Sequence, residues 1–254
     1  MPLNPEILKS VRDGYDIFIE TGTYKGDGVI RAFNENFSDI YSIEFSDYHY
    51  NLCRKKFANY SKIHLYKGDS ATILGNILQE IDKKAVIFLD AHYCGDDVTG
   101  LSEVWIPIKD ELNAIKDSGI NNHAIIIDDL SVMDNSHFDL KTKKWAGAPG
   151  LDVVLDILVK INPNYEITAL INENQIIAIP TTERVAEDCK GRILSRLFDT
   201  RLAEKVKIIN SLRNKLKNFN IQYDEFEFRT DLNYLEDIKM KLSNKLKESN
   251  KSLK

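Results

Sequence analysis

Ile17-Phe18-Ile19-Glu20-Thr21-Gly22-Thr23-Tyr24-Lys25-Gly26 is the stretch on which the reading of this chain turns. An apolar, β-branched run stops at an acid, passes through a turn with two glycines and enters an amphipathic segment. That is how a strand hands over to a helix in an open α/β sheet, and ligands bind at that carboxyl end of the strand. Glycine lets the backbone turn sharply and come close to a ligand. The spacing, ExGxxxG, is not the GxGxxG of a dinucleotide enzyme. A leading Glu20 would repel a pyrophosphate and suit a cationic ligand.

Working outward, strands are predicted at Ile17 to Ile19, Ile40 to Ile43, Ile63 to Tyr66, Ala85 to Leu89, Ala124 to Ile127, Tyr165 to Leu170 and Ile176 to Ile179. Between them, apolar positions recur at three- and four-residue intervals around Val29 to Phe37, Tyr48 to Asn59, Ala71 to Ile81, Ile106 to Lys116 and Leu151 to Ile161, the period of helices packed on a sheet. Alternating βα units imply a mainly parallel sheet. Asn172-Glu173-Asn174 is short and polar enough to join the last two strands as a hairpin, so one of them should run antiparallel. The expected fold is α/β: a Rossmann-like seven-stranded, mostly parallel sheet with an antiparallel terminal hairpin over residues 1–180, followed by a C-terminal helical extension over 181–254.

Acids recur at the next strand ends. Glu44 closes the second strand about 20 positions after the glycine loop, where a carboxylate accepts from both ribose hydroxyls of an adenosine. Gly68-Asp69-Ser70 follows the third strand, with Asp69 placed to accept from an adenine amino group. Leu89-Asp90-Ala91-His92 follows the fourth. Four aligned carboxylates repel one another unless a ligand or metal uses them. S-adenosylmethionine, with an adenosine, an ammonium and a sulfonium, matches that set. Its expected ligands are Glu20, Thr21, Gly22, Thr23, Gly26, Glu44, Phe45, Asp69, Ser70 and Asp90.

The fifth strand ends in Asp128-Asp129, beside the Asp90 end in a parallel sheet. Three carboxylates there suit magnesium or another hard divalent cation, which would lower the pKa of an acceptor hydroxyl. Asp90, Asp128 and Asp129 are the expected metal ligands; a strand-end turn is the alternative for Asp128. His92, two residues past Asp90, is an expected general base, since neutral imidazole is a competent base near pH 7, and Asp90 is grouped with it as catalytic. His49, His64, His123 and His137 show no matched partner in the sequence. Ser131 to Gly150, with His137, Lys141, Lys143, Lys144 and Trp145, reads as a long polar flap suited to an anionic acceptor.

The motifs ETGTYKG, YSIEFS, KGDS and FLDAHY resemble those of the class I S-adenosylmethionine-dependent methyltransferases, over about Tyr15 to Pro180. The resemblance implies a seven-stranded sheet closed by a reversed hairpin, with Glu20 and Gly22 by the methionyl part, Glu44 at the ribose and Asp69 at the adenine. An acid after strand four and an acidic pair after strand five resemble the metal-dependent O-methyltransferases of the catechol and sugar-modifying macrocin types. The departure is the enlarged segment with Cys94-Gly95-Asp96-Asp97-Val98-Thr99-Gly100. The implied function is O-methylation of a small molecule or surface-glycan precursor, at a hydroxyl or phosphoryl oxygen. The alternatives are an N-methyltransferase and a non-catalytic cofactor-binding scaffold working through its tail.

Composition bounds the partners. The chain is 43% hydrophobic with a net charge of −5, but residues 201–254 carry 13 Lys and Arg against 8 Asp and Glu, so the body is acidic and the tail basic. An acidic body argues against nucleic acid, whose phosphates need clustered Lys and Arg. No apolar run reaches the roughly 20 residues that span a bilayer, and Met1 to Ser10 lacks a signal-peptide pattern. The three cysteines, Cys53, Cys94 and Cys189, show no CxxC spacing, which fits a reducing, cytoplasmic address. Leu202, Val206, Ile209, Leu212 and Leu216 form one apolar seam on a tail helix, expected to pack on the body or on a second copy in a homodimer.

Overall fold

The computed structural model describes residues 3–91, 106–133 and 149–196. Their elements are α1 (Pro5–Val11), β1 (Ile17–Thr21), α2 (Asp27–Asn34), β2 (Asp39–Glu44), α3 (Asp47–Lys56), β3 (Ile63–Lys67), α4 (Ser70–Glu80), β4 (Ala85–Leu89), α5 (Ile108–Asp117), β5 (Ala124–Ile127), α6 (Leu130–Met133), α7 (Leu151–Ile161), β6 (Tyr165–Leu170) and β7 (Gln175–Pro180). A further helix begins at Ala186. By internal packing, Met1–Cys189 forms one compact unit and Lys190–Lys254 a second.

The seven strands form one sheet in the order β3-β2-β1-β4-β5-β7-β6. Pairings are parallel except those of β7, which runs antiparallel to both β5 and β6. The strand expected to reverse is therefore the last. Every residue of β1, β4 and β5 is buried, which is why they read as unbroken apolar runs: a central parallel strand has a helical layer on both faces. At the edge, β6 alternates buried and exposed along Tyr165–Thr168, the pattern of a strand wetted on one face. Phe18, Val86 and Ile126 pack with Ile7, Leu8, Val29 and Ala32 of α1 and α2 in one core cluster. Their strand neighbours point to the opposite layer by the period of two, where α4, α5 and α7 pack side by side.

Local chemistry sets the helix starts. Ser46 Oγ accepts from His49 N at the head of α3, and Asp69 Oδ1 accepts from Thr72 N at the head of α4, each satisfying an amide that has no partner within its helix. Two short helices were not expected. Asn4 caps α1, with Pro5 next to it, and α6 occupies Leu130–Met133, so the polar stretch read as a flap from Ser131 begins as a helical turn. Residues 134–148, with His137, the three lysines and Trp145, lie outside the described residues.

The sheet order places the winding reversal between β1 and β4. From β1 the chain moves outward through β2 and β3; from β4 it moves the other way to β5. A crevice opens where the direction changes, at the carboxyl ends of β1 and β4.

Candidate cofactor site

The crevice is built by backbone continuing the ladder past the strand ends. Gly22 N and Thr23 N both donate to Ile43 O (2.9 and 3.1 Å), Gly68 N donates to Glu44 O (3.0 Å), and Asp90 N donates to Thr21 O (3.2 Å). Thr21 Oγ1 also accepts from Asp90 N (3.2 Å). These bonds bring the ends of β1, β2, β3 and β4 into one rim. Glu20, Glu44, Asp69 and Asp90 are gathered along it, as the strand-end pattern predicts. A Cβ on Gly22 would lie 2.5 Å from Asp90 O, and Gly22 has a φ of 84°; both the close approach and the left-handed backbone require glycine. Gly26 (φ 81°) sits at the N-cap of α2.

Glu44 is the best-ordered acid of the set. Its Oε2 accepts from Tyr24 N and its Oε1 from Ser46 N, both at 2.7 Å. Two backbone amides thus hold a buried carboxylate in one orientation at the end of β2. Each oxygen retains a second lone pair, so the group can still accept from a diol. Around it stand Phe45, exposed although it follows two buried residues, and Tyr24 and Tyr48, whose rings lie 4.5 and 5.1 Å from that of the buried His49. Asp69 has a double position: it caps α4, yet it stands at the β3 end beside Ser70, the first helical residue.

Glu20 behaves differently from the expectation of a bare charge. It is buried, accepts from Ser42 Oγ (2.7 Å), and through Ser42 is linked to Thr23 Oγ1. A Cβ on Gly28 would clash with Glu20 Oε2, so the carboxyl rests on the first turn of α2. Burial, with Asp90, Glu44 and Asp27 nearby, pushes its pKa up to about 8 against the lowering effect of Ser42. Near neutral pH it is largely protonated. Its contribution there is the Glu20–Ser42–Thr23 chain that holds the loop, rather than a full negative charge.

The β5 end holds its acids through side chains instead. Asp128 is buried, and its Oδ1 accepts from Gln175 Nε2 (3.3 Å). Asp129 adopts a left-handed φ of 64°, and its Oδ1 accepts from Asn174 Nδ2 (3.4 Å). Asn174 also accepts from Ser131 N through Oδ1 (2.6 Å) and from Leu130 N through its carbonyl (2.9 Å). The acidic pair thus ties β5 and α6 to the β6–β7 turn. Among the described residues no group of three or more His, Cys, Asp or Glu side chains is placed to hold a metal ion. Asp90, Asp128 and Asp129 do not by themselves make the expected three-carboxylate centre. His92 and the segment from Cys94 to Gly100 lie outside the described residues.

Two other expectations change. His64 has a partner after all, Asp39 Oδ1 at 3.1 Å, and stacks on Tyr41, opposite it in the β2–β3 register. His123 is buried, its Nδ1 accepting from Ala85 N (3.0 Å), and burial lowers its pKa to about 4. Both are structural. The residue that the sequence reading missed is Glu111. It falls on the buried stripe of α5 with Ile108, Leu112 and Ile115, a spacing that could have identified it. It is fully buried, beside Thr21 and Ser70 and near Asp69 and Asp90, and burial raises its pKa to about 7. Although the two hydroxyls are close enough to favour its ionised form, neither carboxyl oxygen makes a well-formed hydrogen bond.

No protein-family model and no curated protein matches the chain. Solved structures do. The cofactor-bound protein Rv0187 from MTB superposes with a TM-score of 0.50 at 13% identity, over 69% of this chain and 78% of that one. An O-methyltransferase from Bacillus cereus in complex with SAH gives 0.48 at 17% identity, over 70% and 78%. TomG from Streptomyces achromogenes, an O-methyltransferase involved in tomaymycin synthesis in complex with SAM, gives 0.47 at 14% identity, over 70% and 77%. At such identities the likeness is one of architecture: the described strands form a seven-stranded, Rossmann-like sheet, mostly parallel with β7 reversed, as in that cofactor-bound protein.

Proposed function

We propose that this chain is an S-adenosylmethionine-dependent O-methyltransferase acting on a hydroxyl or phosphoryl oxygen of a small molecule or surface-glycan precursor. The observation that carries the reading is Glu44: a buried carboxylate oriented by Tyr24 N and Ser46 N at the second strand end, with lone pairs left for a diol. When bound, the cofactor supplies an electrophilic methyl group on a sulfonium. Glu44 would hold its ribose, Phe45, Asp69 and Ser70 its adenine, and the loop Glu20 to Gly26 with Asp90 its methionyl part. Catalysis by this rim is chiefly positioning, which alone supplies a large share of a transfer barrier.

His92 is assigned to the acceptor proton in this reading. No step is routed through a cation; one oxygen each of Asp128 and Asp129 accepts from Gln175 and Asn174, and EDTA decides that arm separately. The basic tail is assigned to a homodimer contact, which gel filtration with and without residues 201–254 checks. The deciding experiment follows transfer of a labelled methyl group from the cofactor to a panel of hydroxyl, phosphoryl and amine acceptors. Label on an oxygen acceptor is the expected result. Label on amines alone, or none on any acceptor despite cofactor binding, would move the chain to one of the two alternatives.

A further inference from the structure

Glu111 occupies a position that the packing of α5 assigns to an apolar side chain. Ile108, Leu112 and Ile115 complete the same buried stripe, so a leucine there would bury more apolar surface without a carboxyl to desolvate. A fully buried carboxyl whose oxygens make no well-formed hydrogen bond weakens a fold. Such local cost is typical of groups that serve a site. Its surroundings indicate which site. Thr21 ends β1, Ser70 starts α4 after β3, and Asp69 and Asp90 follow β3 and β4. Glu111, on α5, therefore lies close to three of the four strand ends of the cofactor rim.

We propose that Glu111 is a positioning residue of the cofactor pocket, whose buried charge raises affinity for the cationic sulfonium cofactor over its neutral-sulfur thioether product. The inference rests on the reading given under Proposed function. Being fully buried, Glu111 does not touch the ligand; it acts through its field and through Thr21 and Ser70. Cofactor and product differ at sulfur by one unit of charge, and a carboxylate in a low-dielectric setting distinguishes them over several ångströms. Loss of that charge on methyl transfer would then loosen the product and help the site to empty.

The test compares the wild-type full chain with Glu111→Gln and Glu111→Leu by calorimetric titration of S-adenosylmethionine and S-adenosylhomocysteine at pH 8.5, where the carboxyl is ionised. In Glu111→Gln the preference for the sulfonium compound should fall about tenfold, with product affinity changed by about twofold or less and the melting temperature held or raised. Glu111→Leu should show the same loss of preference, and supplies the ratio if the glutamine variant does not fold. An unchanged ratio, whether both ligands weaken together or neither changes, overturns the inference and leaves Glu111 a structural residue. If neither compound binds the wild type, the reading under Proposed function fails, and this inference with it.

Discussion

Carboxylates stand at both ends of the crevice, yet the β2 corner and the β5 corner use them in opposite ways. At the β2 end, Glu44 is held by two backbone amides, Tyr24 N and Ser46 N, supplied by the turns that follow β1 and β2. At the β5 end, Asp128 and Asp129 accept from the side-chain amides of Gln175 and Asn174, which reach them because β7 runs antiparallel to β5. Backbone donors fix a carboxylate without committing other side chains, and leave it suited to a ligand. Side-chain amides engage one oxygen of each acid and tie it into a strut between elements. An acid at a strand end is therefore informative only together with the groups that hold it.

The contrast is broken most forcefully at Glu44. Replacing it with Ala removes the charged acceptor for two hydroxyls, each such bond being worth about 1.5–3 kcal/mol. Cofactor affinity should fall by roughly 100-fold or more in a calorimetric titration, alongside a stability loss of about 1–3 kcal/mol from the Tyr24 and Ser46 amides left without their acceptor. A large loss of stability with unchanged affinity would make Glu44 a strut as well. Next comes Gly28→Ala, whose Cβ would meet Glu20 Oε2. It should cost about 1–3 kcal/mol in urea unfolding. The double variant with Glu20→Ala should recover most of that, and strict additivity of the two changes would show that the carboxyl does not lie on α2.

Two further acids beside the rim make stability depend on pH. Glu20 and Glu111 have folded pKa values of about 8 and 7 against 4.5 for the free group. Between those limits the native chain keeps protons that the unfolded chain has lost. Stability is thus greatest near the lower limit and declines as pH rises through the folded values. The melting temperature should drop by roughly 10 °C from pH 5.5 to pH 8.5, and Glu20→Gln should flatten the upper part of that fall. A melting temperature that rises over this range would contradict the burial of both acids. The smallest effect belongs to the β5 corner. Asn174→Ala should cost about 1–2 kcal/mol and leave EDTA without influence on turnover; turnover abolished by EDTA and restored by magnesium would show that this corner also serves a cation.

The sequence was most legible where one physical cause acts alone. Ala85–Leu89, Ala124–Ile127, Tyr165–Leu170 and Leu151–Ile161 match their expected limits: in three of them an apolar run or helical stripe is ended sharply by Asp90, Asp128 or Asn162, and Tyr165–Leu170 is marked by its alternation. The hairpin at Asn172 to Asn174 and its reversed strand were legible for the same reason. The helix α1 was missed because seven residues hold little periodicity, although Asn4-Pro5 is a start signal. The acids of the rim were readable as residues but not in their state: that Glu20 would be protonated depends on the packing of α2, and that Asp128 and Asp129 would meet Gln175 and Asn174 depends on cross-strand register. His64 found Asp39 in the same way, across two neighbouring strands. Glu111 was overlooked although it shares the helical spacing of Ile108, Leu112 and Ile115, because an acid on an apolar stripe reads as the stripe's polar edge.

Titration of S-adenosylmethionine and NAD in parallel into the wild-type chain and Glu44→Ala tests the central claim most directly. The account predicts saturable binding of S-adenosylmethionine to the wild type, its loss in the variant, and no binding of NAD to either. Binding of NAD, or equal affinity of both proteins for S-adenosylmethionine, would contradict it.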